Sequence, residues 1–114
     1  MFSPIVLGQM LRGSLGFSGV VVSDDLGATA AVAATQPGER AVRFLSAGGD
    51  LIISKTIPPA VTMVSAIAAR AVGDASFGAR VNDAVLRVLR AKASRPDHMR
   101  VGANTLLTRH ISRE

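Results

Sequence analysis

Apolar residues along this chain recur at two alternating spacings. Behind Ser3-Pro4, residues Leu7, Met10, Leu11 and Ser14 return at three- and four-residue intervals and predict a first helix. Serine can cap it, proline suits its first position, and Gly13 and Gly16 end it. The spacing then collapses into the β-branched run Val20-Val21-Val22, which reads as a strand buried on both faces and stops at Ser23-Asp24-Asp25. An alanine-rich stretch over 27–35 follows, as a loop or a short helix. Thr35-Gln36-Pro37 opens a second helix with Ala41, Phe44 and Leu45 as its inward stripe, and Ala47-Gly48-Gly49 closes it. Gly48-Gly49 is a helix C-cap and not a phosphate loop, because no helix N-terminus and no Lys-Ser/Thr pair follow it.

Asp50-Leu51-Ile52-Ile53-Ser54 is a second buried strand. Pro58-Pro59 starts a third helix with Val61, Val64, Ala68 and Val72 on one face and Gly73 at its end. Ser76 can cap a fourth, along which Val81, Val85, Val88 and Lys92 recur, with Asp83 and Arg87 as an i,i+4 pair on its wet side. Beyond Ser94 the periodicity dissolves. Residues 94–114 read as a basic, loosely ordered tail with one weak apolar cluster at Leu106, Leu107 and Ile111.

The order helix, strand, helix, strand, helix, helix predicts an α/β fold with parallel strands. Two strands that are apolar on both sides need further strands beside them and helices on both faces. The chain therefore asks for more sheet than it encodes, from another chain or from the rest of a larger fold.

Composition narrows the chemistry. Among 114 residues there is no Cys, Trp or Tyr and there are only four Phe. Cysteine nucleophiles, disulfides and zinc-thiolate sites are excluded, and aromatic stacking platforms for single-stranded nucleic acid are missing. The net charge of +5 arises entirely within residues 76–114, which reads as a solvated helix face and tail; nucleic acid is not the expected partner. No apolar run approaches a membrane span, and the N-terminus lacks a signal-peptide pattern, so a cytoplasmic location is expected if Met1 is the true start.

The carboxyl end of the first strand holds the candidate chemistry. Acids placed there sit on the edge where α/β folds and barrels put their ligands. Asp24 and Asp25 point to opposite sides of an extended backbone, so they cannot converge on one bond. Lys55 ends the second strand on the same edge and is read as solvated. Asp50 begins that strand at the far end and is read as structural. Met63 is core filler.

The series of motifs resembles the catalytic barrel of glycoside hydrolase family 3, in its bacterial β-N-acetylglucosaminidase branch. The resemblance rests on Leu11-Arg12-Gly13-Ser14-Leu15-Gly16-Phe17-Ser18-Gly19, then Val21-Val22-Ser23-Asp24-Asp25-Leu26-Gly27. It continues with Ala41-Val42-Arg43-Phe44-Leu45-Ser46-Ala47-Gly48-Gly49-Asp50-Leu51-Ile52-Ile53 and the helix from Arg80 to Lys92. It covers about residues 3–93 and implies the last two βα units of a (β/α)8 TIM barrel plus a following helix, a portion assigned to residues 1–93. It further implies that Asp24 is the nucleophile of retaining hydrolysis of terminal β-linked N-acetylglucosamine, as in peptidoglycan fragments, with no cofactor and no metal. Asp25 is then expected to make structural hydrogen bonds at the loop.

The sequence departs from that pattern in two respects. The resemblance implies an acid/base histidine on an upstream Lys-His-x-Pro-Gly-His-Gly type loop, which this chain lacks; His98 and His110 lie in the tail. The sugar-binding strands are also upstream, so no substrate-binding residue is assigned. Activity of the chain alone is not expected, and its partners are the carbohydrate substrate and either an upstream barrel portion or a self-association partner. Two other readings stay open. Paired strand-end acids and a Lys fit a receiver-like Mg²⁺-dependent phosphoacceptor, and residues 76–114 fit a small basic interaction protein.

Overall fold

A computed structural model describes residues 2–28 and 34–95. The alanine-rich stretch and the tail lie partly outside the described residues, and His98 and His110 fall in the part that does. The order of elements is α1 (Ile5–Ser14), β1 (Val22–Asp25), α2 (Pro37–Ala47), β2 (Leu51–Ile53), α3 (Ile57–Gly73) and α4 (Ala75–Ala93). The two strands pair in parallel, as α/β alternation demands. No helix among the described residues is long and apolar enough to cross a membrane.

Proline and glycine punctuate the helices where expected. Ser3 Oγ accepts the Val6 N–H (3.2 Å) at the start of α1. This helix is wound more widely than an α-helix, with i→i+5 bonds. Its partly buried side is consequently Leu7, Gly8, Leu11 and Arg12, while Met10 and Ser14 of the expected stripe are exposed. Pro37 and Pro58 sit in the first turns of α2 and α3. Gly48 ends α2 at φ +119°, a conformation that L side chains rarely adopt, and a Cβ on Gly49 would overlap the Phe44 ring.

Two packed clusters make the core. Leu26, Ala41, Phe44 and Met63 form one, with Leu7, Val21, Ile52 and Ile67 against it. Val42, Leu45, Phe77 and Ala84 form the other, again with Ile52 and Ile67. Helix α2 belongs to both, so its inward stripe of Ala41, Phe44 and Leu45 is as expected.

Further details differ from the sequence reading. Strand β1 starts at Val22, so the two acids lie inside the strand and not past it. Helix α3 turns Met63, Ala66, Ile67 and Ala71 inward and leaves Val61, Val64, Ala68 and Val72 exposed. A helix apolar all round offers two stripes at the same period, and packing against α2 selects the one with small residues. Helix α4 is capped by Asp74, whose Oδ1 accepts the Phe77 N–H (3.1 Å), and not by Ser76. It buries Phe77 and Ala84, with Val81 and Val88 only half-buried and Val85 and Lys92 exposed. Finally, among the described residues the strands are covered on one face only. Ser23, Asp25 and Ile52 turn toward the helices, whereas Val22, Leu51 and Ile53 are 47%, 42% and 44% exposed on the other face.

Candidate active site at the carboxyl end of the first strand

The site is shaped by an irregularity in the strand pair. Val22 is opposite Leu51 and Asp25 is opposite Ile53, so β1 takes three residue steps where β2 takes two. The extra residue bulges β1 at Ser23-Asp24, and such bulges re-aim side chains next to active sites. Ser23 supports it. Its buried hydroxyl accepts the Ile53 N–H (3.0 Å) and donates to the Asp24 carbonyl (2.6 Å).

Asp24 and Asp25 have opposite fates. Asp24 is exposed on the open face that also carries Val22, Leu51 and Ile53, with one carboxylate oxygen accepting the Asp25 N–H (2.8 Å). Asp25 is buried among the helices; its Oδ1 accepts the N–H of Gly27 (3.0 Å) and of Lys55 (3.2 Å). The expected structural role of Asp25 thus has a geometry: it ties the loop after β1 to the end of β2. The paired acids do not converge on a common ligand, which removes the main support for a receiver-like Mg²⁺ site.

The loop that follows is tightly held. A Cβ on Gly27 would lie 2.7 Å from Ser54 Oγ and 3.0 Å from Pro59 Cγ. Arg40 of α2, itself buried, donates from Nη1 to the carbonyls of Leu26 (2.8 Å) and Gly27 (3.0 Å), and from Nε to that of Thr35 (2.5 Å). Sequence reasoning assigned Arg40 nothing. Its position after Leu26, one turn into a helix that faces the strand, is the signal that could have found it. Lys55 is exposed at the same edge, as expected.

The opposite end of the strands holds a different cluster. Asp50, with no exposed side-chain surface, receives Arg80 (2.9 Å) and Arg87 (2.9 Å) on Oδ1, and Arg12 and the Val21 N–H (2.9 Å) on Oδ2. Burial alone pushes its carboxyl upward. Hydrogen bonds from Arg80, Val21 and Arg87 and the charge of Arg12 outweigh that, so it titrates below the usual carboxylate range. Arg12 also donates to the carbonyls of Phe17 (3.2 Å) and Gly19 (2.6 Å). The structural reading of Asp50 is supported, but Arg87 is not simply on a wet face: it bridges Asp83 (3.4 Å) and Asp50.

An open groove of about 510 Å³ runs between α2 and α3 past Gly38, Ala66, Ala69 and Gly73, with Glu39 and Arg70 at its rim. It shares no residue with the strand end.

Comparison with known proteins bears on the family and the fold. The sequence profile of the glycosyl hydrolase family 3 N-terminal domain matches residues 1–91. A β-hexosaminidase of Nitrosospira multiformis is 43% identical over 65 residues, which is 57% of this chain and 19% of that protein. One of Alkalilimnicola ehrlichii is 43% identical over 63 residues, 55% of this chain and 18% of that protein. The crystal structure of a β-N-acetylhexosaminidase from Beutenbergia cavernae superposes with a TM-score of 0.74 at 43% identity, covering 81% of this chain and 28% of that one. The chain thus spans about a fifth of the length of the curated relatives it matches. With a profile match over most of its length and a shared α/β architecture, the chain belongs to glycosyl hydrolase family 3.

Proposed function

We propose that this chain forms the last two βα units and the following helix of a (β/α)8 catalytic barrel, and that Asp24 is its nucleophile. The observation that carries the reading is the placement of Asp24. It is the exposed acid at the carboxyl end of a bulged parallel strand, on the sheet face left bare by the helices. In a closed barrel that face is the lumen, and its carboxyl end is where chemistry occurs.

The substrate is a terminal β-linked N-acetylglucosaminide, the class suggested by the hexosaminidases that the chain resembles. A carboxylate oxygen of Asp24 attacks the anomeric carbon as the glycosidic bond breaks, and the leaving oxygen takes a proton from a general acid. Water then attacks the anomeric carbon of the glycosyl ester, gives its proton to the same group, and releases the sugar with retained configuration. The acid must lie about 5 Å from Asp24 on the sugar's other side, and Asp25 is turned away and already bonded. The general acid and the sugar-gripping groups therefore come from an upstream barrel portion.

Hydrolysis of 4-nitrophenyl N-acetyl-β-glucosaminide tests the reading, with the chain alone and with the chain joined behind the preceding residues of the Beutenbergia cavernae enzyme. The chain alone should show no turnover. The joined protein should be active, and Asp24→Asn should abolish that activity. Turnover by the chain alone, or an active Asp24→Asn joined protein, would overturn it.

A further inference from the structure

Arg40 is a buried arginine whose guanidinium meets no carboxylate among the described residues. Its hydrogen bonds to the described residues all go to main-chain carbonyls: Leu26 and Gly27 at one end of the β1–α2 connection, and Thr35 at the other. Leu26 and Gly27 come two and three residues after Asp24. The Leu26 side chain is fully buried in the core, and its N–H donates to the Ile53 carbonyl (2.9 Å). Gly27 has no room for a side chain, and its N–H is held by Asp25. The backbone after Asp24 is thus gripped through its N–H groups by β2 and Asp25, and through its carbonyls by Arg40.

Those contacts suit a guanidinium and not an ammonium. Arginine presents N–H donors in a rigid planar fork, so one group can hold carbonyls in two directions at once. Charge-assisted bonds of this kind are about twice as strong as neutral ones. The partners are carbonyls, so the clamp sets backbone position whatever side chains the connection carries. We propose that Arg40 is a positioning residue: it locks the backbone at Leu26 and Gly27 so that the bulged Asp24 carboxylate is held in one orientation. This rests on the reading of Asp24 as nucleophile. Misplacing a reacting group by about 1 Å costs on the order of 10²-fold in rate, which is what such a clamp would prevent.

Amide hydrogen exchange on the full chain, read by NMR, tests the clamp in Arg40→Lys and Arg40→Ala. Arg43→Ala serves as control, because Arg43 is on the same helix but exposed and paired with Glu39 (3.2 Å). In both Arg40 variants the Leu26 and Gly27 amides should exchange at least about tenfold faster, while amides within α3 and α4 keep their rates. The Asp24 carboxyl ¹³C signal should shift with them, and Arg43→Ala should change neither. In the joined protein, Arg40→Lys should lower kcat by about 10²-fold with KM unchanged. Unchanged Leu26 and Gly27 exchange would overturn the proposal. So would a loss of protection spread over the whole chain, which would make Arg40 a residue of general stability, or an unmoved Asp24 signal. Loosened Leu26 and Gly27 amides in a joined protein whose Asp24→Asn variant stays active would instead remove the nucleophile reading and leave the clamp standing.

Discussion

At the scale of single residues, charge is concentrated at the two ends of the strands and handled in opposite ways. At the carboxyl end, Asp24 is exposed, its carboxylate accepting the Asp25 N–H. At the amino end, Asp50 is buried under three arginines drawn from α1 and α4. A buried carboxylate with its partners in place stabilises little by itself, yet breaking the cluster from one side leaves uncompensated charge. Asp50→Asn should therefore cost about 3–5 kcal/mol, measured by urea unfolding, because three guanidiniums would face a neutral amide. The pH dependence follows from the direction of its titration. Its native value lies below the unfolded one of about 3.9, so the native state binds fewer protons and stability falls with acidification. The Asp50 contribution is fully present above the unfolded value. It is lost as pH falls through the lowered native value, and Asp50→Asn should flatten that limb of the stability curve.

At the scale of elements, much was legible before any coordinates. The switch between three-to-four spacing and continuous β-branched runs, with Pro at helix starts and Gly at helix ends, marked six elements in their observed order. The opposed directions of Asp24 and Asp25 followed from strand geometry alone. The bulge at Ser23-Asp24 was not legible, because an extra residue exists only relative to the partner strand. Nor was the convergence of Arg12, Arg80 and Arg87 on Asp50, which joins residues 30 or more positions apart in sequence. The wrong stripe on α3 has another cause. Its valines are more hydrophobic than its alanines, but they face away from α2, and a helix apolar on all sides gives its period no power to choose a face. Met63 is 3% exposed and Val64 is 67% exposed, so substitutions at these neighbours should separate the two stripes. Met63→Ala should cost about 2–5 kcal/mol. Val64→Ala should stay within about 0.5 kcal/mol, as surface changes do, when both are compared by thermal unfolding.

At the scale of the whole molecule, the unbalanced covering of the sheet connects fold to function. Parallel strands are ordinarily buried on both faces, yet here the face bearing Asp24 also presents Leu51 and Ile53 to solvent. If that face is the lumen of a barrel completed by upstream sequence, its residues should respond oppositely in two settings. In the chain alone, Leu51→Ser with Ile53→Thr removes apolar surface from water and interrupts none of the core clusters. The doubly substituted chain should unfold at nearly the same temperature as the parent and sediment with less self-association. Joined behind the preceding residues of the Beutenbergia cavernae enzyme, the same pair would lie in a packed interior, where each shortened side chain costs about 2 kcal/mol or more. A small effect alone with a large loss when joined supports the barrel. Equal effects in both settings would mean that upstream residues do not cover this face, and Asp24 would then point into solvent with no partner group to complete its chemistry.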